Sequence, residues 1–172
     1  AGVVAGLGGG GGSLILAVLE QDPQARGMLV DLEASVEAAR PRFAEERAGA
    51  RCELVVADLM ERVPAGADVY MLKQVLHGRR DAEAIAMLRN CRAAMPEDGT
   101  LLVIEFIVPP VVARADARLE MRLMSDINML AVTGGRERSE AEWKALLEAS
   151  GFRLAGVEAA GSELGIVEAR PA

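Results

Sequence analysis

An apolar run leads directly into five consecutive glycines near the start of the chain. Val3–Leu7 precede the glycines at 8–12, and a helix-like apolar segment follows at 13–19. This order predicts a strand, a turn without side chains and a helix N-terminus. Glycine permits positive φ and close approach of a ligand, and a helix N-terminus adds unpaired N–H donors and partial positive charge. The segment predicts a site for a nucleotide-like or carboxylate-bearing ligand, since a flexible glycine linker rarely lies between a strand and a helix.

Composition and charge exclude several classes of protein. The 172 residues are 51% hydrophobic and 26% charged, which fits one domain, spanning residues 1–172, with a sizeable core. The net charge of −7 argues against a nucleic-acid partner, which needs clustered Lys and Arg. No apolar run is long enough to cross a bilayer and no export signal is evident, so we expect a cytoplasmic protein without a membrane partner.

The cysteines and the histidine argue against two kinds of stabilising site. Cys52 and Cys91 lie far apart and lack Cys-x-x-Cys spacing, so a disulfide framework has little support. His77 is the single histidine of the chain, which makes a His/Cys zinc site improbable. We therefore expect no metal.

Strand-like and helix-like segments alternate along the rest of the chain. Helices are predicted at 33–46, 81–94, 119–131 and from the capping sequence at 139–142 to before Gly151. Further strands are predicted at 27–30, 52–57, 67–72, 100–107, 152–157 and 164–169. This alternation predicts an α/β fold with a mostly parallel sheet that helices cover on both faces.

Polar residues follow several of the predicted strands. Asp31, Asp58, Lys73 and Glu105 each stand at a strand end. Right-handed crossovers place the carboxyl ends of parallel strands at one edge, where ligands bind near the point of strand-order reversal. Each residue alone could be a helix cap or a solvated loop residue, but together they predict a site at this edge.

Two nucleotide-containing cofactors fit the glycine segment. The spacing Gly-x-Gly-x-x-Gly from Gly6 to Gly11, with Asp31 twenty residues later, matches the dinucleotide fingerprint. A nicotinamide-dependent oxidoreductase is therefore one alternative, although the only tyrosine, Tyr70, lies inside a strand and forms no Tyr-x-x-x-Lys pair. The spacing Gly-x-Gly-x-Gly from Gly8 to Gly12 suits S-adenosylmethionine instead. Asp31 serves the ribose of either ligand, whereas Asp58 could accept from an adenine amino group.

An ordered set of short stretches adds a resemblance to a known family. Besides Asp31 these are ADLM at 57–60, MLKQVLH at 71–77, RNCRAAM at 89–95, LVIE at 102–105, DINML at 126–130 and GGRER at 134–138. In order, from residue 3 to residue 169, the chain closely resembles the carboxyl-terminal domain of small-molecule O-methyltransferases of plants and natural-product-producing bacteria. The resemblance implies a Rossmann-like, seven-stranded class I methyltransferase fold.

The same resemblance implies a role for each matching residue. His77 would be the general base that takes a proton from an acceptor hydroxyl, with Glu105 and Glu137 flanking its imidazole. Met124 and Asn128 would line the pocket of a phenolic or polyketide-type acceptor. S-adenosylmethionine would be converted to S-adenosylhomocysteine at a site formed by Gly8, Gly10, Gly12, Asp31, Leu32, Asp58, Leu59, Met60 and Lys73.

Two departures from the family pattern motivate a different function. The family usually has an acid where this chain has Gly6, and Asp-Trp where it has Gly78-Arg79. A cofactor-binding accessory or repurposed domain that transfers no methyl group is therefore the second hypothesis. Family members also carry an amino-terminal dimerisation domain before the first strand, so we expect a truncated domain, a homodimer or a partner chain that supplies this half.

Overall fold

Seven strands and five helices form the architecture in a computed structural model that describes residues 2–109, 117–159 and 164–172. The strands are β1 Val3–Leu7, β2 Arg26–Asp31, β3 Cys52–Val56, β4 Val69–Lys73, β5 Thr100–Glu105, β6 Phe152–Ala159 and β7 Gly165–Pro171. The helices are α1 Ser13–Gln21, α2 Glu33–Glu45, α3 Asp81–Ala94, α4 Ala117–Val132 and α5 Glu140–Glu148. Single 3-10 segments occupy Arg47–Arg51 and Leu76–Gly78.

The strands join into one sheet of order β3-β2-β1-β4-β5-β7-β6. Strands β1 to β5 pair in parallel, and β7 pairs antiparallel with both β5 and β6. The predicted mostly parallel, seven-stranded sheet is thus confirmed. The strand order reverses at β1, so the crevice beyond its carboxyl end is the expected ligand site.

Apolar side chains cover both faces of the sheet, as predicted. On one face, Ile15 and Leu19 of α1 and Phe43 of α2 pack against Leu29 and Met71. On the other, residues of α3 and α5 pack against the central strands, and the buried members include Leu7, Val30, Tyr70, Leu72, Met87, Leu88, Leu101, Val103, Trp143 and Leu147. The two layers hold the strand ends in a rigid frame.

A local sequence signal accounts for the start of α5, whereas the end of β5 differs from its prediction. Glu142 Oε2 accepts from the Ser139 backbone N–H at 2.9 Å, which closes the predicted capping box that opens α5. Strand β5 ends at Glu105, before the predicted end at 107, and Ile107 forms an isolated bridge with Arg138 instead. Among the described residues, no helix is both long and apolar enough to cross a membrane.

The Gly12→Ala substitution is expected to lower the free energy of unfolding by about 2–4 kcal/mol. Gly12 has φ of 75°, and an added Cβ would lie 2.3 Å from two ring atoms of the buried Phe43. The matched control is Gly10→Ala, where φ is 52° but an added Cβ meets no described atom within 4 Å. In urea unfolding, the control should lose only about 1 kcal/mol of its free energy of unfolding. Equal losses would contradict the steric role of Phe43.

Candidate functional site

The glycine segment turns sharply between β1 and α1. Gly8, Gly10 and Gly12 have positive φ of 62°, 52° and 75°. An added Cβ on Gly8 would lie 2.9 Å from Val75 Cγ2, whereas Cβ atoms on Gly10 and Gly11 would meet no described atom within 4 Å. The backbone therefore approaches the β4 side closely at Gly8 and lies open to a ligand at Gly10 and Gly11.

Asp31, the last residue of β2, holds the glycine turn in place. Its Oδ2 accepts from the backbone N–H of Gly10 at 2.8 Å, and its Oδ1 accepts from that of Leu32 at 2.8 Å. The carboxylate is half-buried, and Leu32 is exposed just before α2. Each carboxylate oxygen can accept more than one hydrogen bond, so Asp31 retains capacity for ligand hydroxyl groups.

A second acidic turn follows β3. Asp58 is exposed, and its Oδ1 accepts from the Met60 backbone N–H at 2.8 Å, while Leu59 is buried. Asn90 of α3 donates to the carbonyl oxygens of Leu59 and Met60 at 2.9 and 3.0 Å. The sequence interpretation assigned no role to Asn90, although it lies in one of the stretches that carry the family resemblance.

Lys73 ends β4 with an exposed side chain. Together with the glycine turn and Gly6 it lines a cavity of about 200 Å³. An added Cβ on Gly6 would lie 3.6 Å from Ile15, an ordinary van der Waals distance. A Cβ would therefore fit at Gly6 without displacing its neighbours.

His77 lies in the 3-10 turn that follows β4 and faces two buried glutamates. Its Nδ1 is 2.9 Å from Glu137 Oε1 and 3.6 Å from Glu105 Oε2. The histidine side chain is 13% exposed and both glutamate side chains are fully buried. The predicted trio of His77, Glu105 and Glu137 is thus brought together.

Glu105 forms its hydrogen bonds with the backbone of this turn. Its Oε1 accepts from the N–H groups of Val75, Leu76 and His77 at 3.0, 3.0 and 3.3 Å. Its Oε2 has no hydrogen bond among the described residues. Burial raises the pKa of Glu105 to about 7, although the nearby His77 and the N–H donors favour the ionised form.

Glu137 is the main partner of the imidazole and is itself held by α4. Ser125 Oγ donates to Glu137 Oε1 at 2.7 Å, and the Glu137 backbone N–H donates to Asp126 Oδ1 at 2.8 Å. The hydrogen bond to Glu137 is the largest cause that raises the pKa of His77, and burial opposes it. The sequence interpretation assigned no role to Ser125 or Asp126, although Asp126 begins one of the stretches that carry the family resemblance.

One cleft contains both the glycine turn with Asp31 and the turn that carries His77. It has a volume of about 600 Å³ and is lined by Gly8, Asp31 and His77 together with Met129 of α4 and Thr133, which follows that helix. Asp58 follows β3, the strand beside β2, at the same sheet edge. The predicted convergence of strand ends is therefore observed.

The two predicted acceptor residues lie elsewhere on α4. Met124 and Asn128 are exposed and do not line this cleft. Their contact with an acceptor stays a prediction.

The histidine cluster also has the composition of a cation site. Its three ligand atoms lie within 4.8 Å of one another. One imidazole and two carboxylates could hold a divalent ion, but the 2.9 Å bond between His77 and Glu137 satisfies the ring nitrogen without one. The expectation of no metal stays a prediction.

Known protein sequences match nearly the whole chain. A family model described as an O-methyltransferase domain matches residues 2–153. The phenazine O-methyltransferase PhzM of Lysobacter antibioticus is 42% identical over 96% of this chain and 47% of its own length. The phenazine-1-carboxylate N-methyltransferase of Pseudomonas aeruginosa is 34% identical over 86% of this chain and 43% of its own length. The chain therefore spans about half the length of the curated relatives it matches.

Solved structures match equally well. A crystal structure of LaPhzM aligns with 99% of this chain and 50% of its own, with 41% identity and a TM-score of 0.93. NcsB1, an O-methyltransferase from neocarzinostatin biosynthesis solved with S-adenosylmethionine and 2-hydroxy-5-methyl naphthoic acid, aligns with 99% of this chain and 49% of its own. Its identity is 33% and its TM-score is 0.89.

Proposed function

Because this chain belongs to the O-methyltransferase domain family, we propose that it is the S-adenosylmethionine-binding catalytic domain of an enzyme that methylates a hydroxyl of a phenolic or polyketide-type small molecule. The observation that carries the proposal is the cleft that Asp31 and His77 share, with His77 Nδ1 2.9 Å from the buried Glu137. The bound S-adenosylmethionine of NcsB1 supports the choice of this cofactor over a nicotinamide.

The residues at the strand ends fit the proposed cofactor. Asp31 would accept from the ribose hydroxyls, and Asp58 from the adenine amino group. The open backbone at Gly10 and the ammonium group of Lys73 would meet the amino-acid end, and Leu32, Leu59 and Met60 would contact the adenosine. When bound, S-adenosylmethionine supplies the methyl group, carried on its positively charged sulfur.

His77 would take the proton of the acceptor hydroxyl. If Nδ1–H of the neutral imidazole donates to Glu137, the lone pair is on Nε2, which would accept the proton. The imidazolium that forms would lie beside Glu137 and Glu105, and it would be stabilised by the carboxylate of Glu137 and by Glu105 when that group is ionised. A base of this kind contributes about 10²–10⁴-fold to the rate.

This base favours oxygen over nitrogen acceptors. A phenol with pKa near 10 must lose its proton as it attacks, whereas a neutral nitrogen attacks through a lone pair that is already free. N-methylation is the second candidate because one relative is a phenazine-1-carboxylate N-methyltransferase.

We also propose that protein outside these residues completes the acceptor pocket. Helix α4 presents exposed apolar side chains, and the curated relatives are about twice as long as this chain. The occupant would be an amino-terminal half of the kind seen in the family, from the same or a partner subunit. The exposed side chains on this helix are Met121, Leu123, Met124, Ile127, Leu130 and Val132.

The proposed activity is tested with S-adenosylmethionine and a panel of hydroxylated aromatic acceptors, with products identified by mass spectrometry. Appearance of an O-methyl product together with S-adenosylhomocysteine supports the proposal. A product methylated on nitrogen would favour the second candidate. A cofactor that binds in calorimetry but is never consumed would favour the non-methylating accessory domain that Gly6 and Gly78 motivate.

The rate of methyl transfer is expected to rise with pH through a pKa above the usual 6.5 of histidine. Only neutral His77 accepts the proton, and Glu137 raises the pKa of the imidazole. The Glu137→Gln variant removes the carboxylate that contributes most to the raised pKa of His77. The rise of kcat with pH should therefore occur at lower pH in this variant than in the wild type. A pH profile of kcat with saturating substrates measures both, and an unshifted profile would contradict the assignment of His77 as the base.

A further inference from the structure

A fully buried arginine lies beside the turn that carries His77. Arg138 Nη1 donates to the Leu76 carbonyl at 3.0 Å, and Nη2 donates to the Arg79 carbonyl at 2.9 Å. Nη2 also donates to Asp81 Oδ1 at 2.8 Å, and the guanidinium carbon lies 5.2 Å from the centroid of the Trp143 ring. Both flanks of His77 are thus bonded to one planar cation.

The residues just before Arg138 in the chain contact His77 itself. The Arg136 backbone N–H donates to the His77 carbonyl at 2.9 Å. An added Cβ on Gly135 would lie 2.0 Å from that carbonyl oxygen, so only glycine permits this approach. Glu137, between Arg136 and Arg138, binds the imidazole. Residues 135–138 therefore contact both the backbone and the side chain of His77.

Glu105 and Arg138 bind different backbone groups of the same turn, the N–H donors and the carbonyl acceptors respectively. Glu105 accepts from the N–H groups of residues 75–77, whereas Arg138 donates to the carbonyl groups of residues 76 and 79. A lysine could not donate to the two carbonyls and Asp81 in this planar pattern.

We propose that Arg138 is a positioning residue for the reaction, which fixes the turn so that the imidazole of His77 is held between Glu137 and the cleft. This inference rests on the proposed function, in which His77 is the base. The charge of Arg138 has a second effect, because it opposes the two glutamates and lowers the pKa of His77. The base thereby stays neutral, and able to accept a proton, at lower pH than the glutamates alone would allow.

The test compares Arg138→Met and Arg138→Lys with the control Arg136→Met. The Arg136 side chain pairs with Glu142 and with Asp81, the carboxylate that Arg138 also binds, but it does not bond to the turn. The control therefore removes an ion pair of Asp81 while the bonds between Arg138 and the turn remain. Thermal unfolding identifies folded variants, and calorimetry gives their affinity for S-adenosylhomocysteine. Since His77 is the only histidine, its imidazole NMR signal reports its titration without any assay of activity.

In Arg138→Met we expect kcat to fall about 10- to 100-fold, because a small displacement of a reacting group costs about that much. The affinity for S-adenosylhomocysteine should change less than about 3-fold, and the His77 titration should move to higher pH. Arg138→Lys keeps the charge, so the titration should stay near the wild type while kcat still falls. If Arg138→Met does not fold, the Arg138→Lys variant still tests the proposal.

A folded Arg138→Lys with wild-type kcat would overturn the positioning role, as would an equal loss in Arg136→Met. An unmoved His77 titration in folded Arg138→Met would overturn the electrostatic effect. If the wild-type protein transfers no methyl group to any acceptor, the proposed function fails instead. The His77 titration then still tests the electrostatic effect of Arg138 on the imidazole.

Discussion

Replacement of His77 by asparagine is expected to lower kcat by about 10²–10⁴-fold, the usual contribution of a general base. Asparagine can still donate to Glu137, so the buried carboxylate keeps a partner and the fold is preserved. No other imidazole is available in this chain to replace the base. The residual rate would depend on solvent to remove the proton, and it should rise with pH as the acceptor hydroxyl ionises.

Binding and chemistry are separated by measuring S-adenosylhomocysteine affinity in the same variant. The Kd should stay within about 3-fold of the wild type, because the substitution leaves Asp31, the residue we assign to the ribose, unchanged. If His77→Asn methylates its acceptor at the wild-type rate, the base assignment is wrong. Deprotonation by solvent would then be the mechanism to examine.

Replacement of Asp31 by alanine is expected to weaken S-adenosylhomocysteine binding by about 100-fold. The ribose would lose two hydrogen bonds to a charged group, each worth about 1.5 kcal/mol or more. The glycine turn would also lose its anchor, since the Gly10 N–H donates to this carboxylate at 2.8 Å. Isothermal titration calorimetry measures the change directly.

Asp22→Ala is the matched control for that experiment. Asp22 is an exposed aspartate that accepts from the backbone N–H of Gln24 at 2.9 Å, in a turn after α1. Its loss should leave the affinity unchanged. If Asp31→Ala binds S-adenosylhomocysteine as tightly as the wild type does, the ribose lies elsewhere in the cleft.

The amino-acid order alone predicted the fold class and the strand ends that lie at the candidate site. Strands with apolar runs and helices with apolar periodicity are local patterns, and each ends at a polar or glycine residue that can be read directly. Parallel strands must bring their carboxyl ends together, so the positions of Asp31, Lys73 and Glu105 along the chain already predict that they share one edge. The family resemblance then named His77 and Glu137, which no periodicity singles out.

The tertiary structure alone decided how these groups are held. Asp31 bonds to the glycine turn across 21 residues, and Arg138 bonds to the His77 turn across about 60. Asn90, Ser125 and Asp126 contribute through contacts of the same kind. Hydrogen bonds of this range depend on how separate elements pack, not on the neighbours of a residue along the chain. The sequence therefore determined which groups gather at the sheet edge, and only the packed fold decided which of them touch.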